Sequence, residues 1–154
     1  MQGGRRQARC VALQALYEID CAGHSVVDVL AERLVDEPLT ESLHPFVYQL
    51  VNGVLEHQHA LDALIQQYAP EWPIDQMAII DRNVLRMAIF EFAVSETAPL
   101  RVAINEAVEL AKEFGSDHSP RFVNGVLGSL AAKESELRAA FVQQNAHPKT
   151  DADR

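Results

Sequence analysis

Positive charge is scarce in this chain: 13 Lys and Arg stand against 22 Asp and Glu, a formal net charge of -9 over 154 residues. A uniformly acidic surface repels polyanions, which excludes nucleic-acid binding unless the few cations are gathered in one place. Three of them are, as Arg5, Arg6 and Arg9, and no Asp or Glu precedes Glu18. Long apolar runs are missing too. No stretch of about eighteen apolar residues could span a bilayer, and the N-terminus lacks both an uninterrupted apolar stretch and a cleavage-like site, so a cytoplasmic protein is expected. Cysteine is limited to Cys10 and Cys21. They lie on one expected helix, too far apart along its axis for a disulfide and without companions at metal-ligand spacing, and are read as ordinary core or half-buried residues.

Catalytic signatures are equally absent. His57 and His59 are two residues apart, about 200° around a helix, and cannot share an ion; there is no HExxH pattern, Gly-rich phosphate loop or GxSxG elbow. Asn105 and Glu106 lie in a helix rich in alanine and valine with no nucleophile nearby, which favours a structural hydrogen-bond network over half a catalytic site. No enzymatic activity, metal or cofactor is expected.

What the chain does have is helical periodicity, with apolar spacings of three and four throughout and no alternation of period two, so the fold class is all-α. A first helix is expected from about Arg6 to Cys21, with Ala8, Ala12, Ala15, Leu16 and Ile19 inward. Ser25 and Asp28 make a capping-box-like start for a second, ending near Val35. One long third helix carries the stripe Val47, Leu50, Val51, Val54, Leu61, Leu64, Ile65 and Tyr68. A new unit starts at Trp72-Pro73, with a short helical turn from Asp75 to Ile79; Asp81 is read as the cap of the next helix, in which Val84, Leu85, Ala88, Ile89 and Phe92 face inward. Pro99 opens the sixth, Gly115 closes it as a C′ glycine, and Ser119-Pro120 begin the seventh as N-cap and N1. Residues 1–141 make one domain, with helical subdomains of about 5–69 and 72–141, and 142–154 are expected to be a disordered tail.

The pentapeptide Val51-Asn52-Gly53-Val54-Leu55 recurs as Val123-Asn124-Gly125-Val126-Leu127. A mid-helix glycine costs about 1 kcal/mol relative to alanine, so both copies are expected where helix backbones approach closely. The arginines fall at the start of the first helix. Arg5 and Arg9 share a face and Arg6 lies about 100° round, which permits a phosphate clasp. Cations there oppose the helix dipole at roughly 0.3–1 kcal/mol each, a cost that bound phosphate relieves.

The segments RRQARCVALQALYEID, IIDRNVLRMAIFEF and VAINEAVELAKEFG followed by RFVNGVLGSL strongly resemble the NusB family of transcription antitermination factors, over roughly Arg5 to Leu130. The resemblance implies a seven-helix fold, an N-terminal group of three helices packed on a C-terminal group of four. It implies binding of boxA-type single-stranded RNA in ribosomal RNA leaders as a heterodimer with NusE, a small-subunit ribosomal protein, within an assembly of NusA, NusG and RNA polymerase. The family's arginine-rich segment falls on Arg5, Arg6 and Arg9, with Gln7 where some members carry another arginine. The loop before the last helix adds Ser119, Arg121 and Phe122 to the RNA-facing set, with Phe122 equally able to be a core residue. Tyr17 and Asp81 match positions that in the family lie at the partner or RNA interface, and His118, standing where relatives can carry an acid, joins them in the partner-binding set. Two other readings remain open: an RNA-targeting module related to the N-terminal domain of ribosomal RNA cytosine methyltransferases, and a structural adaptor that forms homodimers. With four arginines on phosphates, log affinity would fall with log salt at a slope of about -3.

Overall fold

Alanine decides the centre of the molecule. α1 (Gln2–Ala22) buries Ala8, Ala12 and Ala15 together with Val11, Leu13 and Leu16, and side chains this small let neighbours approach it closely. α2 (Val26–Asp36), α3 (His44–Glu56) and α5 (Ile79–Ile89) all pack against it. Gly23, at φ 71°, ends α1 in the left-handed region that favours glycine, donating its N–H to the Ile19 carbonyl at 3.0 Å. The computed structural model describes residues 2–36 and 39–141, and the expectation of a disordered tail at 142–154 lies outside them.

The third helix of the sequence reading is two. α3 stops at Glu56 and α4 (Gln58–Tyr68) restarts after His57, whose φ of -103° and ψ of 12° leave the helical region. The His57 Nδ1–H donates to the Gly53 carbonyl at 3.0 Å, and its ring packs near Phe90 and Phe141. Because the apolar stripe continues through the joint, with Val54 and Leu61 both fully buried, periodicity alone cannot register it. Beyond a 3-10 turn at Ile74–Gln76, α5 occupies the middle of the fold against α1, α4, α6 (Leu100–Phe114) and α7 (Ser119–Ala131); residues 134–141 form a short eighth helix. Among the described residues there is no strand, and no helix is long and apolar enough to cross a membrane.

α5 is tied to the N-terminal half by charge as well as packing. Arg86 donates to both Asp62 oxygens (2.7 and 2.9 Å) and to Asp20, while Arg82 forms a two-pronged pair with Asp20 at 2.9 and 2.8 Å. Burial opposes the Asp20 carboxylate, but hydrogen bonds from Arg82 and Asn83 and the charges of Arg82 and Arg86 hold its pKa below the usual range. The end of α5 then widens into π-helical winding over Phe90–Val94, which carries Glu91 into the interior, 3% exposed.

Several local expectations need correction. α5 begins at Ile79, so Asp81 is a first-turn acid and not its cap. Gly115 ends α6, but with extended backbone (φ -95°, ψ -168°); its missing side chain makes room for Ser119, whose Oγ would lie 2.4 Å from an added Cβ. The same crowding is real at Gly53, where an added Cβ would sit 2.1 Å from Phe90 Cζ, but Gly125 faces open space with nothing within 4 Å. Cys10 is half-buried, while Cys21 is exposed and belongs to no core.

Candidate nucleic-acid interface

The three N-terminal arginines share a helix end but not a role. Arg5 is exposed, its guanidinium carbon 4.6 Å from the centre of the Phe46 ring. Arg6 is partly exposed, its side chain at 45%, and forks onto Glu106 of α6 at 3.0 and 2.8 Å. Arg9 is 5% exposed and makes a buried two-pronged pair with Glu91 at 2.8 and 2.9 Å, with Glu106 a further 3.7 Å away. Arg5 therefore offers all its donors to an anion outside and the half-open Arg6 those that Glu106 leaves over, while the fork of Arg9 is spent inside the protein. Hydrogen bonds from Arg6 hold the Glu106 pKa below the usual range despite burial, so Glu106 stays charged as a standing counter-ion. Asn105 is exposed, and Glu106 pairs with arginines of α1 instead of with its neighbour.

A second cluster surrounds the loop between α6 and α7. Ser119 is 1% exposed, and its hydroxyl accepts from the Ser116 N–H at 2.9 Å, turning back into the loop instead of capping the helix it begins. Phe122 is half-buried and meets Trp72 edge to face, ring centres 6.3 Å apart. These two rings, with Met77, Asp81 and His118, line a cleft of about 240 Å³. Tyr17, 40% exposed, lines an adjoining cleft of the same size with Asp81, Phe114 and Ser119. Asp81 thus borders both hollows. Burial pushes its carboxyl upward against the opposing effect of the nearby Ser119 hydroxyl, and its Oδ1 is buried without a hydrogen-bond partner. Arg121 is exposed beside them.

The two clusters are joined by one face of α1. Tyr17 lies eleven residues after Arg6, about 16 Å along the axis and within roughly 20° of whole turns. Cys10 lies on the same stripe, its Sγ–H directed to Glu113 of α6 at 3.8 Å. Tyr17, Asp81, His118, Ser119 and Phe122 are therefore brought together, Arg6 stands at the far end of the same seam, Arg5 lies about 100° round from it against Phe46 of α3, and Arg9 is buried beneath them. Sequence reasoning missed Phe46, Glu91 and Trp72. Glu106 was singled out as part of a structural hydrogen-bond network, but its arginine partners were not.

Over the described residues this is an all-helical protein in which an N-terminal arginine cluster opens a seam of aromatic and polar side chains, the layout of a binding surface. The sequence profile of the NusB family matches residues 6–132, and the chain belongs to that family. The transcription antitermination protein NusB of Dehalococcoides mccartyi is 51% identical over 131 residues, covering 85% of this chain and 92% of that one. Among solved structures, NusB of T. maritima matches with a TM-score of 0.77 at 32% identity, over 84% of this chain and 91% of that one. A structure of the antitermination factors NusB and NusE in complex with double-stranded RNA matches with a TM-score of 0.75 at 23% identity, over 91% and 99%, and shares the fold.

Proposed function

We propose that this protein is a transcription antitermination factor that binds boxA-type single-stranded RNA of ribosomal RNA leaders together with a NusE-type ribosomal protein. The observation that carries this reading is the seam itself: exposed Arg5 and Arg6 at one end, Arg121 and the Trp72–Phe122 pair at the other, on a body of net charge -9. Phosphates run along the cations, and an unpaired base stacks near Phe122, where a stacked aromatic contributes about 1–3 kcal/mol. With Arg9 committed to Glu91, three arginines remain, and a contribution of roughly -0.7 each puts the salt slope near -2 instead of -3.

Three cations give modest affinity, so the acidic body has a purpose of its own: it steers a basic partner onto the hollows at Tyr17, Asp81 and His118, extending the RNA track. The complex then joins NusA, NusG and RNA polymerase in the cytoplasm, with residues 1–141 acting as one domain. A relative named for antitermination at 51% identity, and a structural neighbour seen with NusE and RNA, support this choice over a methyltransferase targeting module or a self-associating adaptor. Calorimetry with a NusE-type protein at low salt tests it. A one-to-one complex weakened by Tyr17→Asp is expected, and absence of any heat of binding would refute the partner role.

A further inference from the structure

Arg6, Arg9, Arg33, Arg82, Arg86 and Arg138 each hold a carboxylate, but among the described residues Arg5, like Arg101 and Arg121, holds none. A ring fixes it instead. Its guanidinium carbon lies 4.6 Å from the Phe46 centroid, well within cation–π range, and that of Arg9 lies 5.5 Å from the same ring. Phe46 sits in the first turn of α3, half-buried against the core. Gly4 keeps the start of α1 close to the segment entering α3, since an added Cβ would come within 3.2 Å of Leu43 Cδ1. The two helix starts that carry the partners of the stack therefore lie close together. The exposed guanidinium of Arg5 is a planar cation backed by an aromatic ring, with solvent available on its outer side.

The ring holds the guanidinium without using any of its N–H donors, so its free face as well as its edge stays available to a ligand. A planar cation held in place is a stacking surface for a nucleobase, since guanidinium planes and aromatic rings are the two surfaces on which unpaired RNA bases are read. We propose that Arg5 and Phe46 form a base-stacking platform at the end of the seam remote from Phe122. Arg5 contacts the base and Phe46 is the positioning residue behind it. This rests on the RNA-binding reading above and gives the seam two stacking points, with the phosphates of the intervening nucleotides on Arg6.

The test is fluorescence anisotropy with a labelled boxA-type RNA and a series of the same RNA carrying one abasic nucleotide at each position in turn, read with wild type, Phe46→Leu and Arg5→Lys. Both substitutions keep the charge of the patch. Each is expected to weaken binding roughly fivefold or more while leaving the salt slope unchanged, and at one abasic position both penalties should vanish, as for two groups that act on one base. Penalties that persist at every abasic position, or an Arg5→Lys protein that binds like wild type, overturn the platform. If Phe46→Leu does not fold, Arg5→Lys at an exposed site carries the abasic comparison alone. A wild type that does not prefer boxA-type RNA over a scrambled control overturns the parent reading and this one with it; a selective wild type without the coupling overturns only the platform.

Discussion

Arg9 separates structural from ligand-binding arginine most sharply. Its fork and both Glu91 oxygens are shielded, at 5% and 3% exposure, with bonds of 2.8 and 2.9 Å. Arg9→Ala strands a carboxylate in the interior, and breaking a buried pair from one side costs about 3–5 kcal/mol. The lower figure applies here, because the site borders the half-open Arg6–Glu106 pair, whose glutamate is 13% exposed. At about 2–4 °C per kcal/mol for a chain of this length, Tm falls by roughly 6–12 °C. Adding Glu91→Gln should recover much of the loss, because the charge left without a partner is then removed. Thermal melts followed by circular dichroism give the stability, and anisotropy below the melt gives the salt slope, which Arg9→Ala should leave unchanged while Arg6→Ala makes it shallower by about 0.7. An Arg9→Ala protein that melts within about 2 °C of wild type and loses salt dependence would show that Arg9 leaves Glu91 to bind RNA and would refute its structural role.

Other expected outcomes follow from single sites. Gly53→Ala drives a Cβ into the Phe90 ring and should destabilise by about 1–3 kcal/mol or more, while Gly125→Ala, with nothing within 4 Å in mid-helix, should stabilise by up to about 1 kcal/mol; melts that move the same way would refute the packing contrast. Asp81 has a folded-state pKa raised by burial, so the folded state resists its ionisation, and stability is lost as pH rises from the ordinary carboxylate value through the folded one. Asp81→Asn should therefore raise Tm at pH 7 and match wild type below about pH 3; a lower Tm at pH 7 contradicts this. Burial, with Glu113 close by, pushes the Cys10 thiol up to about 11, roughly a hundredfold less thiolate than an ordinary cysteine at pH 8. Alkylation read by mass spectrometry should accordingly modify exposed Cys21 first, and equal labelling rates would show that Cys10 is not shielded.

The helices were legible because their cores obey a local period: Ala8, Ala12, Ala15 and Leu16 are buried as their spacing requires. The arginine group was legible because it is contiguous. Its division of labour was not, since the partners that decide it stand far off in sequence, Glu91 82 residues from Arg9 and Glu106 100 residues from Arg6. Each local pattern was silent on these pairings. The repeated pentapeptide makes the same point in reverse: identical sequences place Gly53 against Phe90 and Gly125 against nothing, because only tertiary neighbours distinguish them. Asp81 read as a cap because an acid near a helix start fits one, and its place between two hollows depends on Trp72 and Tyr17, which belong to other elements.

The most direct measurement is anisotropy of a labelled boxA-type RNA against a scrambled control, with and without a NusE-type partner, titrated in salt. Selective binding, tightened by the partner and falling with log salt at a slope near -2 for the protein alone, is the predicted result. Equal weak binding to both RNAs, unaffected by the partner, would contradict an antitermination role and reduce the seam to a generic basic edge.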